Sequence, residues 1–246
     1  MKKILFLSLM IMITIASYAQ EVERVPCPPL RTYAIKLAPA AIMFGKVSLG
    51  GEYVYSERKS LTFYVGVPFN KTGNVSFDED VSKVGSKTFS IMGGYRYYLK
   101  KQNMKGFYIE PFIKYLNHKG DGVLEGTLGP KSVLLDYNSD YNGIGLGAQL
   151  GVQFIIGKKL VLDWFLLGPE LNSGKINSNF RDITSSDWSE QDAAEIEADI
   201  EDVLQDIPLI GKKIEVDVNG STKTVTGKYK GLLPGIRSGI SIGYRF

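Results

Sequence analysis

Apolar and polar residues alternate with a period of two through most of the chain. In the last thirteen residues, PGIRSGISIGYRF, Ile236, Ser238, Ile240, Ile242, Tyr244 and Phe246 share one parity, and Gly235, Arg237, Gly239, Ser241, Gly243 and Arg245 share the other. A β-strand sends successive side chains to opposite faces, so one face is apolar and aromatic and the other is small or cationic. The pattern recurs. NGIGLGAQLGVQFI sets Ile144, Leu146, Ala148, Leu150, Val152 and Phe154 against Gly143, Gly145, Gly147, Gln149, Gly151 and Gln153. KVSLGGEYVY, SLTFYVGVPF, KTFSIMGGYRYYL, FYIEPFIKY and KLVLDWFLLG behave alike, and a less regular YAIKLAPAAI (33–42) opens the series. The pattern predicts eight strands.

The connectors also alternate. SERK, KKQNMK and GKK are short, whereas residues 70–86, 117–140 and 172–233 are long and the first connector, around Phe44-Gly45, is brief. Short turns at one end, longer loops at the other and an even strand count describe a membrane-spanning barrel. The longest connector has structure of its own. Ile196, Ile200, Val203, Leu204 and Ile207 recur at helical spacing over 187–207, with Asp187 and Glu190 as a candidate capping pair and Pro208 and Gly211 as a stop. Asn219-Gly220 between extended runs predicts a hairpin.

Solvent decides between a soluble sandwich and a barrel in lipid. The polar face is crowded with glycine, which weakens a water-exposed strand but suits the narrow interior of an eight-stranded barrel. Tyr53, Tyr55, Phe63, Tyr95, Tyr97, Phe107, Phe154, Tyr244 and Phe246 lie toward the short-turn ends, and Phe69, Phe89 and Tyr115 toward the long-loop ends. Two aromatic girdles around an aliphatic band fit two membrane–water interfaces. The expected fold is therefore all-β, an eight-stranded antiparallel up-and-down transmembrane barrel with a helix-plus-hairpin insertion in the last long loop.

On this parity Lys36, Glu52, Arg96, Glu110, Lys114, Asp163 and Arg237 point into the lumen, with Arg245 near its end. Unpaired charges would be costly in so confined a space, so a structural charge network is expected, with Glu110, Arg96 and Arg237 in one group. Such a network either plugs the lumen or lines a small ion path.

Composition adds a destination. Residues 1–19 carry Lys2 and Lys3, an apolar run from Ile4 to Ile15 and a small-residue site at Ser17-Tyr18-Ala19, which reads as a signal peptide cut before Gln20. An extended leader, 20–30, and the barrel, 31–246, with its insertion at 172–233, would follow. Cys27 cannot form an internal disulfide, and Arg24-Val25-Pro26 before it is unlike a lipidation site. The net charge of +3 falls to +1 without Lys2 and Lys3, so no basic field for nucleic acid exists.

Candidate chemistry is sparse. His118 is the one histidine; a His–Ser pair near the rim could serve lipid hydrolysis, but Ser139, Ser173 and other loop serines are all available and no spacing singles one out. Glycine runs such as GLGAQLG lack a following helix and are not phosphate loops. No Cys/His cluster suggests zinc, so no catalytic residue, cofactor or metal is expected. Glu190, Asp192, Glu195, Glu197, Asp199, Glu201, Asp202 and Asp206 make the helical segment strongly acidic. They form either a solvated face or a surface for an unknown extracellular partner, basic or bridged by divalent cations at the lipopolysaccharide layer.

The signal peptide, the eight alternating strands, the short turns and the closing YRF together resemble the small outer-membrane barrels typified by the OmpA transmembrane domain and OmpX. The SYAQ cleavage site and elaborate loops are similar to barrel proteins of the Bacteroidetes. The resemblance covers about residues 31–246 apart from the last long loop. It implies an outer-membrane location among outer-membrane lipids, with termini and short turns periplasmic and long loops extracellular. It also implies that Tyr244 and Phe246 on the last strand form the signal read by the barrel-assembly machinery. Three functions fit: a structural, adhesive or surface-interaction barrel without enzymatic activity, a narrow channel for small solutes, or a lipid-modifying enzyme.

Overall fold

In a computed structural model, the described residues are 32–77, 80–102, 104–128, 131–185, 187–205, 207 and 211–246. The signal-peptide, leader and Cys27 expectations lie outside them. Among the described residues the strands are β1 (Thr32–Ala38), β2 (Lys46–Ser56), β3 (Lys59–Pro68), β4 (Lys71–Phe77), β5 (Asp80–Tyr98), β6 (Gly106–Leu128), β7 (Lys131–Ile156), β8 (Leu160–Asp182), β9 (Ile214–Asn219) and β10 (Thr224–Arg245), and the α-helix is α1 (Glu190–Gln205). Eight of them, β1-β2-β3-β5-β6-β7-β8-β10, pair antiparallel in order, and β10 returns to β1. The barrel is therefore closed and has no free edge through this ring.

Closure carries a stagger. The paired row Leu37–Leu49–Val65–Ile91–Tyr115–Ile144–Ser173–Leu232 runs once around the wall. Leu37 itself pairs with Ile242, ten residues further along β10 than Leu232. Strands must tilt to meet such an offset.

Outside, Ile35, Leu49, Leu61, Val67, Ile113, Leu146, Leu167, Ile236 and Ile240 are exposed and form an apolar belt. Tyr33 stacks on Tyr53 (centroids 4.9 Å) and Tyr244 meets Phe246 (5.0 Å) at its short-turn rim, while Phe89 and Tyr115 (6.3 Å) mark the other. Such a face has lipid as its solvent, since a closed barrel satisfies every wall hydrogen bond internally. At the short-turn end, Gly157 (φ +64°) makes the tight β7–β8 reversal that a side chain would strain.

The row Tyr115–Ile144–Ser173–Leu232 is also a boundary. Below it the outer face of β8 carries Leu162, Trp164 and Leu171, and the inner face carries Asp163, Glu170 and Asn172. Above it the outer face carries Lys175, Asn177, Asn179 and Arg181, and the inner face carries Ile176, Ser178 and Phe180. In β10 the outer face changes from Ile242, Ile240 and Ile236 to Lys230 and Lys228, while the inner face changes from Ser241 and Arg237 to Leu233, Tyr229 and Val225. Each strand exchanges its solvent-facing chemistry where it leaves the lipid.

Several sequence expectations need correction. The opening segment 33–42 is strand only to Ala38; Pro39, which has no N–H for a ladder, starts a 3₁₀ turn through Phe44. Much of the long connectors 70–86 and 117–140 is strand, in β4, β5, β6 and β7. The insertion drawn over 172–233 is narrower, because β8 persists to Asp182 and β10 resumes at Thr224. Between them lie α1 and β9, and β9 pairs with β10 around the Asn219-Gly220 turn. The helix is capped by Ser189, not by Asp187 with Glu190. Ser189 Oγ accepts the Asp192 N–H (3.1 Å), and the Asp192 carboxylate accepts the Ser189 N–H (2.8 Å), a reciprocal box.

Candidate functional site

The lower lumen holds a dry cluster of ions. Lys36 projects from β1 and spends its three protons on Glu52 Oε2 (2.5 Å), Gln153 Oε1 (2.6 Å) and Asp163 Oδ2 (2.8 Å). Arg96 from β5 donates to Glu110 Oε2 through Nε (2.6 Å) and to Gln153 Oε1 through Nη1 (2.7 Å). That same Nη1 lies 2.9 Å from Asp163 Oδ2. Its guanidinium stacks over the Tyr108 ring, 3.7 Å from the centroid. These ion-paired side chains are at most 1% exposed.

Two cations face three carboxylates, and neutral donors satisfy the excess negative charge. Tyr98 and Ser60 donate to Glu52 Oε1 (2.6 and 2.7 Å), Tyr108 donates to Asp163 Oδ1 (2.7 Å), and Thr62 donates to Glu110 Oε1 (2.5 Å). Buried charges persist when their polar atoms find partners, and every charged atom of this cluster has at least one. Glycine makes the room. A Cβ at Gly94 would strike Glu110 and Thr62, and one at Gly151 would strike the Tyr108 ring.

The seven expected lumen charges do not form one network. Lys36, Glu52, Arg96, Glu110 and Asp163 are the cluster above. Lys114 lies higher and pairs with Glu170 (2.5 Å). Arg237, grouped with Glu110 and Arg96 in the sequence reading, instead touches the Met92 sulfur and lies beside the Phe165 (4.7 Å) and Phe112 (5.6 Å) rings. Glycines at 147 and 168 let this layer approach, since a Cβ at Gly147 would come within 2.7 Å of the Pro169 carbonyl oxygen. Arg245 sits half-buried at the lower rim, where its N–H donates to the Lys159 carbonyl (2.7 Å). Tyr244 and Phe246 are exposed beside it, and the Phe246 N–H ties the last residue to the Tyr33 carbonyl (2.9 Å).

Sequence reasoning set Gln153 on the inward face without joining it to the network, and missed Tyr98, Tyr108, Ser60, Thr62 and Glu170. The first five share the inward parity of residues that were named, and counting hydroxyls and amides at those positions would have found them. Glu170 lies beyond Leu166-Leu167, two consecutive exposed residues at which β8 changes parity.

Above the boundary row the inner wall becomes an apolar vestibule. Helix α1 lies on it, and a cavity of about 380 Å³ remains between Ile200 and Leu204 of the helix and Leu135, Ile176, Phe180, Val216, Val225 and Leu233 of the sheet. Trp188, just before the helix, donates its indole N–H to Asp182 Oδ2 (2.9 Å) and fixes the helix to the end of β8. His118, also above the boundary, meets Thr88 Oγ1 (2.7 Å) through Nδ1; burial first, then the Lys46 cation, lower its pKa from the ordinary value. Ser139 is bonded to Ser178 (2.9 Å). Among the described residues no group of three or more His, Cys, Asp or Glu is placed to hold a metal.

No protein-family profile matches the sequence, and no curated protein does. Two solved structures are similar in outline. CarO of Acinetobacter baumannii aligns over 89% of this chain and 98% of its own at 10% identity, with a TM-score of 0.42. The outer membrane protein OprG of Pseudomonas aeruginosa aligns over 88% and 93% at 10% identity, with a TM-score of 0.39. At these values neither likeness assigns a function.

Proposed function

We propose that the protein is a non-enzymatic outer-membrane barrel with a sealed lumen, and that it acts through the structure carried above the membrane. One observation carries this reading: the Lys36–Arg96–Glu52–Glu110–Asp163 cluster draws on β1, β2, β5, β6 and β8 and leaves no side chain in it open to water. An eight-stranded wall encloses just enough space for side chains to fill, so a cluster spanning it is a plug. In this reading the termini and short turns are periplasmic, the extended strands and α1 are extracellular, and the belt contacts outer-membrane lipid and lipopolysaccharide. Tyr244 and Phe246 serve the barrel-assembly machinery. The acidic outer side of α1 suits a basic surface partner.

The test is electrical. Purified protein in a planar bilayer is expected to show no stable conductance. A persistent wild-type current at physiological salt would overturn the plug and favour the narrow-channel reading.

A further inference from the structure

The vestibule cavity has a chemistry that the sealed lumen does not explain. We infer that it binds an uncharged, mainly hydrocarbon molecule of about a dozen heavy atoms, a medium-length alkyl or single-ring compound. The inference does not depend on whether the lumen conducts.

Position comes first. The strands that line the cavity carry Lys175, Asn177, Asn179 and Arg181 on the opposite face, so this part of the wall stands in water, not lipid. An apolar hollow there offers an apolar solute a place to leave water. Lining comes second. Besides Ile176, Phe180, Ile200, Leu204, Val216 and the other apolar residues, the wall contains Ser178, Tyr229 and Lys228. The Ser178 hydroxyl is engaged with Ser139 (2.9 Å), and the Tyr229 hydroxyl donates to the Leu232 carbonyl (2.9 Å). Lys228 has the outward parity of β10 and faces Glu215 across the ladder. Both lining hydroxyls already hold one hydrogen bond, and the rest of the surface facing the hollow is apolar.

Size and charge narrow the class. A volume of 380 Å³ lies within the range of small-molecule sites and equals about a dozen water volumes of ~30 Å³. A further helix, about 10–12 Å across, does not fit where α1 already lies. The helix that roofs the site carries Glu190, Asp192, Glu195, Glu197, Asp199, Glu201 and Asp202 and no basic residue. A carboxylate on the ligand would shed its water against this apolar lining, so a neutral alkyl compound is favoured over its fatty-acid counterpart.

The full chain in lipid nanodiscs, labelled at isoleucine δ1-methyls, provides the test. Ile176, Ile200 and Ile214 report on the cavity, while Ile35, Ile113 and Ile240 report on partition into the belt. Titration with 1-decanol at pH 8 should give saturable shifts at the three cavity methyls, and decanoate should bind at least tenfold more weakly. Gly227 lines the cavity, and a Cβ there meets nothing within 4 Å, so Gly227→Phe should fill the space without a collision at its base. Gly227→Leu serves if the larger side chain prevents folding. Either variant should abolish the saturable shifts and leave the belt response. Unmoved cavity methyls, shifts that survive the filling variant, or equal affinity for decanoate would overturn the inference.

Discussion

Lys36→Met should be among the most damaging single substitutions in this barrel. Lys36 contacts two carboxylates, at 2.5 and 2.8 Å, and one amide oxygen, all without access to water. At an effective dielectric of about 20, one ion pair near 2.8 Å is worth about 6 kcal/mol of Coulomb energy. Losing two such attractions is partly offset by ending the burial cost of the ammonium and its repulsion with Arg96. Removing one partner of a buried pair costs about 3–5 kcal/mol in net terms, and the upper end applies here because Arg96 is left facing three carboxylates. Lys114→Met is the comparator. Its side chain is 16% exposed and it has one carboxylate partner, so a loss of about 1–2 kcal/mol is expected after solvent screening. Urea unfolding from lipid vesicles, followed by the mobility of unboiled samples on gels, measures both. Adding Glu52→Gln to Lys36→Met should recover part of the loss, with a coupling of about 2 kcal/mol or more. A Lys36→Met barrel within about 1 kcal/mol of wild type, or one no weaker than Lys114→Met, would refute the account of the plug.

Two further outcomes follow from the boundary row and the narrowed insertion. Leu146→Arg puts a cation on the lipid face of β7 and should cost about 2–4 kcal/mol, whereas Asn138→Arg, on the same face above the boundary, should change stability by less than about 0.5 kcal/mol; equal losses in vesicle unfolding would misplace the membrane. Replacing residues 183–223 by a short glycine-containing turn should leave a barrel that still shifts on boiling, because the Asp182 N–H already meets the Lys223 carbonyl at 2.9 Å and the chain ends lie side by side; failure to assemble would make α1 and β9 part of the folding unit.

The membrane part of the fold was legible because lipid outside and a packed lumen inside impose one parity on each strand. The parts above it were not. There the outward residues of β7 and β8 are Asn, Asp, Lys and Arg, and the inward ones are glycine, tyrosine and isolated aliphatics, so the reversed alternation reads as loop. Ser189 was overlooked as a cap because Asp187 offered an earlier candidate of the preferred type. Parity also named the inward charges without saying which would meet. Lys36 and Glu52 sit on neighbouring strands, but Asp163 and Gln153 reach Lys36 from β8 and β7, and only the ten-residue stagger sets their heights. Glu170 was lost at the Leu166-Leu167 irregularity, where a period of two breaks. Arg237 illustrates the opposite error: correct in direction, it lies in a different layer.

The length of the long strands has a consequence for reach. β7 has 26 residues, which at about 3.3 Å each and a tilt near 40° rise roughly 65 Å. The apolar band of such a barrel is about 25 Å tall. The boundary row crosses β7 at Ile144, so half of that length, roughly 33 Å from Lys131 to Gly143, stands as a mast on the outer side in the proposed orientation, with α1 bound along it. A helix on a short loop would lie among lipid headgroups and sugars. Raised on a stiff hydrogen-bonded wall, it is held at a fixed distance from the membrane, where a flexible tether would let that distance vary.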